Sequence, residues 1–140
     1  AAAGGIIEVE ASKIALQKSS DDRVRQFAQH MVDDHTKVGE ALKAAASSES
    51  ITIPDAPDSQ QQRMLQRLKG LSGAQFDAAY KTQMLDDHKD AVGMFQQKIR
   101  ENLKTPLKQF AADNLSTLKA HLQMAEELTA SSSSKTSASR

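Results

Sequence analysis

The sequence predicts an all-α protein with four long helices and one short one. Glycine and proline are scarce, with 6 and 3 copies in 140 residues, whereas helix-favouring alanine, glutamine, lysine and leucine are abundant. No segment alternates apolar and polar residues as a half-buried strand would. We expect one domain over residues 1–130, followed by a disordered, serine-rich tail at 131–140 that has too little apolar surface to pack.

The first two helices are separated by the stretch "KSSDD". It ends the first helix near Lys18 and supplies Ser19 or Ser20 as the N-cap of the second. The second helix should then run from about Asp21 to Ser48, with an apolar stripe along one face.

Prolines and glycines mark the remaining boundaries. Pro54 and Pro57 exclude a helix in "ESITIPDAPD". A short helix is predicted from Asp58 to about Lys69, where Gly70 stops it.

Two further long helices follow. "SGAQ" has the spacing of a capping box and opens a helix that should reach about Asn102. Thr105 and Pro106 form an N-cap with proline in the first helical position, and they open a last helix that ends near Ala130.

The lengths of the connections indicate the topology. The first and second helices are tightly joined, as are the two last ones, so each pair is antiparallel. About two dozen residues lie between the pairs, enough to travel back along the bundle. This pattern predicts a ferritin-like four-helix bundle whose long crossover carries the short helix. A plain up-and-down bundle with an elaborate middle loop is the alternative.

Three histidines should share one level of this bundle. "MVDDHTK" and "MLDDHKD" place His35 and His88 each fourteen residues into a helix, at a depth of about 21 Å. Counting through the last tight turn brings His121 to the same level. On the first helix Glu8 reaches a similar depth, and Glu10 lies slightly lower.

The helical periodicity indicates which side chains point inward. His35 and His121 replace apolar residues in regular core stripes, and His88 continues the stripe of Phe76, Tyr80 and Met84. His30 belongs to no stripe, so we expect it on the surface, where its removal should not affect metal binding.

A metal site is one interpretation of this layer, because imidazoles and a carboxylate on facing helices are typical ligands. The predicted ligands are Glu8, His35, His88 and His121. Supporting or alternative residues are Glu10, Asp34 and Asp87. The other interpretation is a metal-free layer of buried hydrogen bonds that fixes helix register.

The ligand types suggest a single zinc, iron or manganese ion. Met31, Met84 and Met124 lie one turn from the histidines, which would suit Cu(I), although core filling is the favoured explanation of these thioethers. Di-iron bundles carry Glu-x-x-His on two helices, and this sequence has none. We therefore expect metal handling or stress protection rather than catalysis.

Composition excludes several other classes of protein. The net charge is 0, with 18 basic and 18 acidic residues, and there is no tryptophan. Neither a nucleic-acid groove nor base-stacking platforms are therefore expected. Cysteine is absent, which rules out disulfides and thiolate ligands. No apolar run is long enough to span a membrane.

Three segments of the sequence carry a family resemblance. The stretch "AAAGGIIEVEASKIALQKSSDDRVRQFAQHMVDDHTK", then "LSGAQFDAAYKTQMLDDHKDAVGMFQ" and "LKQFAADNLSTLKAHLQMAEEL", resembles the domain of unknown function 4142 family. The positions that match this family are Glu8, the Asp-His pairs at 34–35 and 87–88, Phe76 to Tyr80, and His121. Ser116 stands where such proteins often carry proline. The resemblance implies a ferritin-like bacterial protein exported to the periplasm or cell envelope. The start "AAAGG", without an initiator methionine, agrees with a removed signal peptide.

These observations support one hypothesis and two rivals. The hypothesis is an exported bundle that binds one divalent metal ion. The first rival is a metal-free structural or interaction module of the envelope, with an envelope protein or a second copy as partner. The second is a pH sensor, because buried histidines that gain protons would destabilise the core.

Overall fold

The computed structural model describes residues 2–100 and 105–137. Its described residues form five α-helices and no strand, which confirms the all-α prediction. The helices are α1 (Ala2–Lys18), α2 (Asp22–Ser48), α3 (Ser59–Lys69), α4 (Gly73–Arg100) and α5 (Thr105–Ser137).

The four long helices form a bundle in which α2 and α4 are parallel. The rings of Phe27 and Tyr80, near the starts of these two helices, have centroids 6.1 Å apart. Leu42 and Phe95, near their ends, share a second apolar cluster. The segment between α2 and α4 therefore returns along the bundle, and its helix α3 packs against α1 and α4. The predicted crossover topology is confirmed.

The start of α2 differs from the prediction. The N-cap of α2 is Asp21, whose carboxylate accepts hydrogen bonds from the backbone N–H groups of Arg23 and Val24. The prediction of Ser19 or Ser20 as this cap was wrong. An aspartate is as good a cap as a serine, and the Ser19 hydroxyl instead accepts from the backbone N–H of Asp21 at 3.2 Å.

The short helix follows its prediction closely. Asp58 and Gln61 form a reciprocal capping box at its start, and Gly70 caps its end.

The last helix runs further than the sequence suggests. α5 ends at Ser137, seven residues beyond the predicted end at Ala130, because no glycine or proline in "SSSSKTS" interrupts it. Of the predicted tail, residues 131–137 thus continue the helix, and residues 138–140 lie outside the described part. The predicted end of α4 at Asn102 also lies outside it.

The core consists of two apolar clusters with a polar layer between them. The buried residues of the Phe76 cluster are Ile7, Ala11, Ile14, Ala15, Val24, Phe27, Ala28, Met31, Leu65, Leu68, Phe76, Tyr80, Met84, Ala125 and Leu128. Those of the Phe95 cluster are Leu42, Phe95, Phe110, Ala111 and Leu118. Along α2, α4 and α5, the histidines occupy the positions between the two clusters.

A cleft of about 790 Å³ opens beside the Phe95 cluster. Its walls include Val38, Ile53 and Phe110, and it reaches Glu8 and His35. The polar layer is therefore adjacent to a space that is large enough for water or small molecules.

Candidate metal centre

Four buried polar side chains, one from each long helix, meet between the apolar clusters. Glu8, His35, His88 and His121 are 2%, 5%, 0% and 1% exposed. The centroids of the three imidazole rings are 5.0–5.5 Å apart. The structure thus places the four predicted ligands in one layer and turns all of them inward.

Two of the histidines are held through their Nδ1 atoms. Nδ1 of His35 donates to Oε2 of Glu8 at 3.0 Å. Nδ1 of His88 donates to the backbone carbonyl of Met84 at 2.8 Å, and Oε1 of Glu8 lies 3.7 Å away. Both acceptors lack a proton, so Nδ1 carries the hydrogen in each ring and the lone pair is on Nε2.

The third histidine, His121, is held through its Nε2 atom instead of Nδ1. Nε2 of His121 donates to Oδ2 of Asp34 at 2.8 Å. Its Nδ1 is buried and has no hydrogen-bond partner. A buried polar atom without a partner is costly, so this nitrogen is a candidate for binding a ligand.

The inward-facing nitrogens have a spacing that suits a metal ion. Nε2 of His35 and Nε2 of His88 are 3.4 Å apart. At a zinc–nitrogen bond length of about 2.0–2.1 Å, two ligands of a tetrahedral ion are separated by about 3.3–3.4 Å. One ring nitrogen from each of the three histidines, including His121, lies within 4.8 Å of the others. When both rings are neutral, lone pairs face each other across this gap, and a cation would relieve their repulsion.

The electrostatics of the layer favour an ionised Glu8 and neutral rings at His88 and His121. Burial opposes the ionisation of Glu8, but the hydrogen bond from His35 and the charges of the histidines outweigh it and hold its pKa below the usual value. Burial lowers the pKa of His88 and lowers that of His121 to about 4. An ionised carboxylate in the core requires a positive partner, which a bound cation would provide.

The alternative carboxylates lie in three different environments. Asp34 contacts His121, as described above, whereas Glu10 is exposed and pairs with Lys13 at 3.0 Å. Asp87 accepts a hydrogen bond from Nε2 of Gln83 at 2.8 Å, and its Oδ2 is buried without a partner. Among these three side chains, the described residues show a contact to the histidine layer for Asp34 alone.

Asp87 has the most unfavourable environment of these carboxylates. Burial raises its pKa to about 6, with help from the negative charges of Glu8, Asp90 and Asp86, against the hydrogen bond from Gln83.

His30, which was expected on the surface and outside the site, lies next to the histidine layer. Its side chain is 48% exposed, as expected for a surface residue, yet its Nε2 lies 3.0 Å from Oδ2 of Asp34. Its ring centroid is 5.4 Å from that of His121. The His30–Asp34 spacing of four residues along one helix was the available clue, since such residues are neighbours on the helix surface.

The three methionines that lie one turn from the histidines belong to the core. Met31 and Met84 are fully buried in the Phe76 cluster, and Met124 packs against it. These contacts support core filling as the role of the thioethers.

Fold and site together define a class: a helical bundle with one long crossover and a buried histidine cluster at mid-height. A family model, "Domain of unknown function (DUF4142)", matches residues 1–128, and the chain belongs to that family. The crystal structure of a DUF305 protein from Streptomyces coelicolor is similar in fold, with a TM-score of 0.72 and 16% identity over 94% of this chain and 90% of that one. No curated protein matches the chain. No described helix is both long and apolar enough to cross a membrane.

Proposed function

We propose that this protein binds one divalent transition-metal ion through Nε2 of His35, Nε2 of His88 and Nδ1 of His121. The observation that carries the proposal is that the two nitrogens of each imidazole ring have different surroundings. One nitrogen of each ring is fixed by a protein acceptor. Of the other nitrogens, Nε2 of His35 and Nε2 of His88 lie 3.4 Å apart, and Nδ1 of His121 is buried without a partner. Histidine ligands of metals are characteristically oriented in this way through their second nitrogen.

Glu8 supports the ion without binding it in this arrangement. Its Oε2 lies 3.0 Å from Nδ1 of His35 and its Oε1 lies 3.7 Å from Nδ1 of His88. Both contacts are to the ring nitrogens that do not border the 3.4 Å gap. The carboxylate fixes the tautomer of His35 and offsets part of the charge of the ion. This refines the hypothesis from sequence, in which Glu8 was a ligand.

Zinc and iron fit the donor set best, since imidazole suits both ions, whereas manganese prefers oxygen ligands. No thiolate is present to select Cu(I). Three histidines leave a fourth position for water or another ligand. The family resemblance supports an exported protein, and we propose that it holds or buffers metal in the periplasm or cell envelope, or protects against metal stress.

A metal-free role remains the alternative because each of the three histidines has a hydrogen-bond partner without an ion, which for His88 is the backbone carbonyl of Met84. Glu8 pairs with His35, and Asp34 pairs with His121. A layer of this kind can fix the register of four helices on its own.

Metal analysis of protein purified without a histidine tag separates these roles. An ion that binds only the folded state stabilises it by about 2.7 kcal/mol at 100 times its Kd, which corresponds to a rise of roughly 5–15 °C in Tm for a domain of this size. We expect about one ion per chain, a Tm that falls on chelation, and loss of both effects in His88→Ala. No bound metal together with a Tm that is unaffected by zinc or chelator would support the structural role.

A further inference from the structure

We propose that His30, Asp34 and His121 form a second, outer metal site through which the ion reaches the buried one. This inference rests on the proposed function, because it concerns the route to the same centre. One ligand atom from each of the three residues lies within 4.8 Å of the others.

The three side chains form a path from solvent to the interior. Their exposure falls from 48% at His30 to 28% at Asp34 and 1% at His121. Oδ2 of Asp34 is shared, since it lies 3.0 Å from Nε2 of His30 and 2.8 Å from Nε2 of His121. An ion bound at the surface end is therefore already in contact with a residue of the buried layer.

The donor set of the outer site is suited to a transient ion. Two imidazoles and one carboxylate make a common set with open positions for water, so an ion could arrive partly hydrated. Because His30 and Asp34 are accessible, the ion could also leave easily.

His121 connects the two sites through its two ring nitrogens. Nε2 faces Asp34, and Nδ1 is buried without a partner. Binding at the outer site places the ring proton on Nδ1. Transfer to the inner site returns that proton to Nε2, where Asp34 accepts its hydrogen bond again. The ion changes ligands, the ring keeps one proton, and no electron is transferred.

The cleft beside the Phe95 cluster offers a competing route, since it reaches Glu8 and His35. Gly39 lines this cleft, and a Cβ at this position would meet no atom within 4 Å. Gly39→Leu therefore has room for its Cβ, adds bulk to the wall of the cleft and leaves the residues of the outer site unchanged.

Stopped-flow measurement of Co²⁺ binding to the full chain tests the route. We expect His30→Gln to slow both association and dissociation by at least tenfold, by equal factors, so that Kd is unchanged. A site through which the ion only passes affects the association and dissociation rates equally and does not change Kd. Gly39→Leu and Asp33→Asn should behave like the wild type. Asp33 is a neighbouring carboxylate that accepts from Gln29 and serves as the matched surface control.

Two results would overturn the outer site while the proposed function stands. In the first, the wild type binds Co²⁺, His30→Gln has normal rates, and Gly39→Leu slows binding. In the second, His30→Gln weakens equilibrium binding, which would make His30 a ligand of the main site. Failure of the wild type to bind Co²⁺ at all would instead overturn the proposed function, and this inference with it.

Discussion

Replacing Glu8 by glutamine tests how the carboxylate supports the metal site. The amide oxygen can still accept the hydrogen bond that Nδ1 of His35 donates, at 3.0 Å in the wild type. The side chain keeps its shape and loses its negative charge. The substitution therefore separates the electrostatic contribution of Glu8 from its packing.

The expected loss follows from the position of Glu8 behind the ligands. Partners that orient a metal-binding histidine typically contribute 10–100-fold in affinity, or about 1.4–2.7 kcal/mol. We expect Glu8→Gln to weaken zinc binding within this range. The number of protein ligands should stay the same, because the proposed ligands are ring nitrogens of the three histidines and not oxygens of Glu8.

Competition titration with a zinc chelator gives the affinity, and X-ray absorption spectroscopy gives the coordination number. Glu10→Gln is the matched control: Glu10 is exposed and pairs with Lys13, so its affinity should equal that of the wild type. An unchanged affinity in Glu8→Gln would refute the orienting role. A loss far above 100-fold, with one oxygen ligand fewer, would show that Glu8 binds the ion directly.

Three further predictions concern stability without metal. Tyr80→Phe should lower the free energy of unfolding by about 1–3 kcal/mol, because the buried Ser12 hydroxyl loses its partner, the Tyr80 hydroxyl at 2.7 Å. Urea denaturation measures this free energy, and an unchanged value would refute the prediction. Asp87→Asn should raise Tm at pH 7 but not at pH 3.5. The raised pKa of about 6 means that the unfolded chain loses this proton before the folded protein does, so the carboxyl group destabilises the fold as pH rises above about 4. Asp113→Asn is the exposed control, because Asp113 accepts a hydrogen bond from Gln109 with the same four-residue spacing, and an equal gain at both pH values for Asp87→Asn would contradict the reasoning. In the presence of chelator, the free energy of unfolding of the wild type should fall as pH drops from about 6.5 to 4. The reason is that His121 gains a proton near pH 6.5 in the unfolded chain but only near pH 4 in the folded protein, where its pKa is about 4. Denaturation at several pH values measures this dependence, and stability that does not change with pH would refute the prediction.

Local sequence rules were sufficient for the fold. Strong breakers such as Pro54, Pro57 and Gly70 fix helix ends wherever they stand, and the long connection between α2 and α4 allowed only a few topologies. The rules were weaker where several residues could serve equally well. Ser19, Ser20 and Asp21 are all good N-caps, and only the packing of the turn selects the aspartate.

The level of the histidines could be predicted, but their hydrogen-bond partners could not. Rise per residue and an apolar stripe locate His35 or His121 to within a turn. Which ring nitrogen faces a carboxylate depends on side-chain rotamers and on the rotation of neighbouring helices, and the periodicity of one helix contains neither. For that reason the sequence did not reveal that Glu8 pairs with His35 or that Asp34 links His30 to His121.

Diffraction at the zinc absorption edge, from crystals of the untagged protein soaked in zinc, tests the central claim most directly. We expect one anomalous peak in the core, about 2.0–2.1 Å from Nε2 of His35, Nε2 of His88 and Nδ1 of His121. A core without a peak at saturating zinc, or a core ion that is not bound by these three nitrogens, would contradict this prediction.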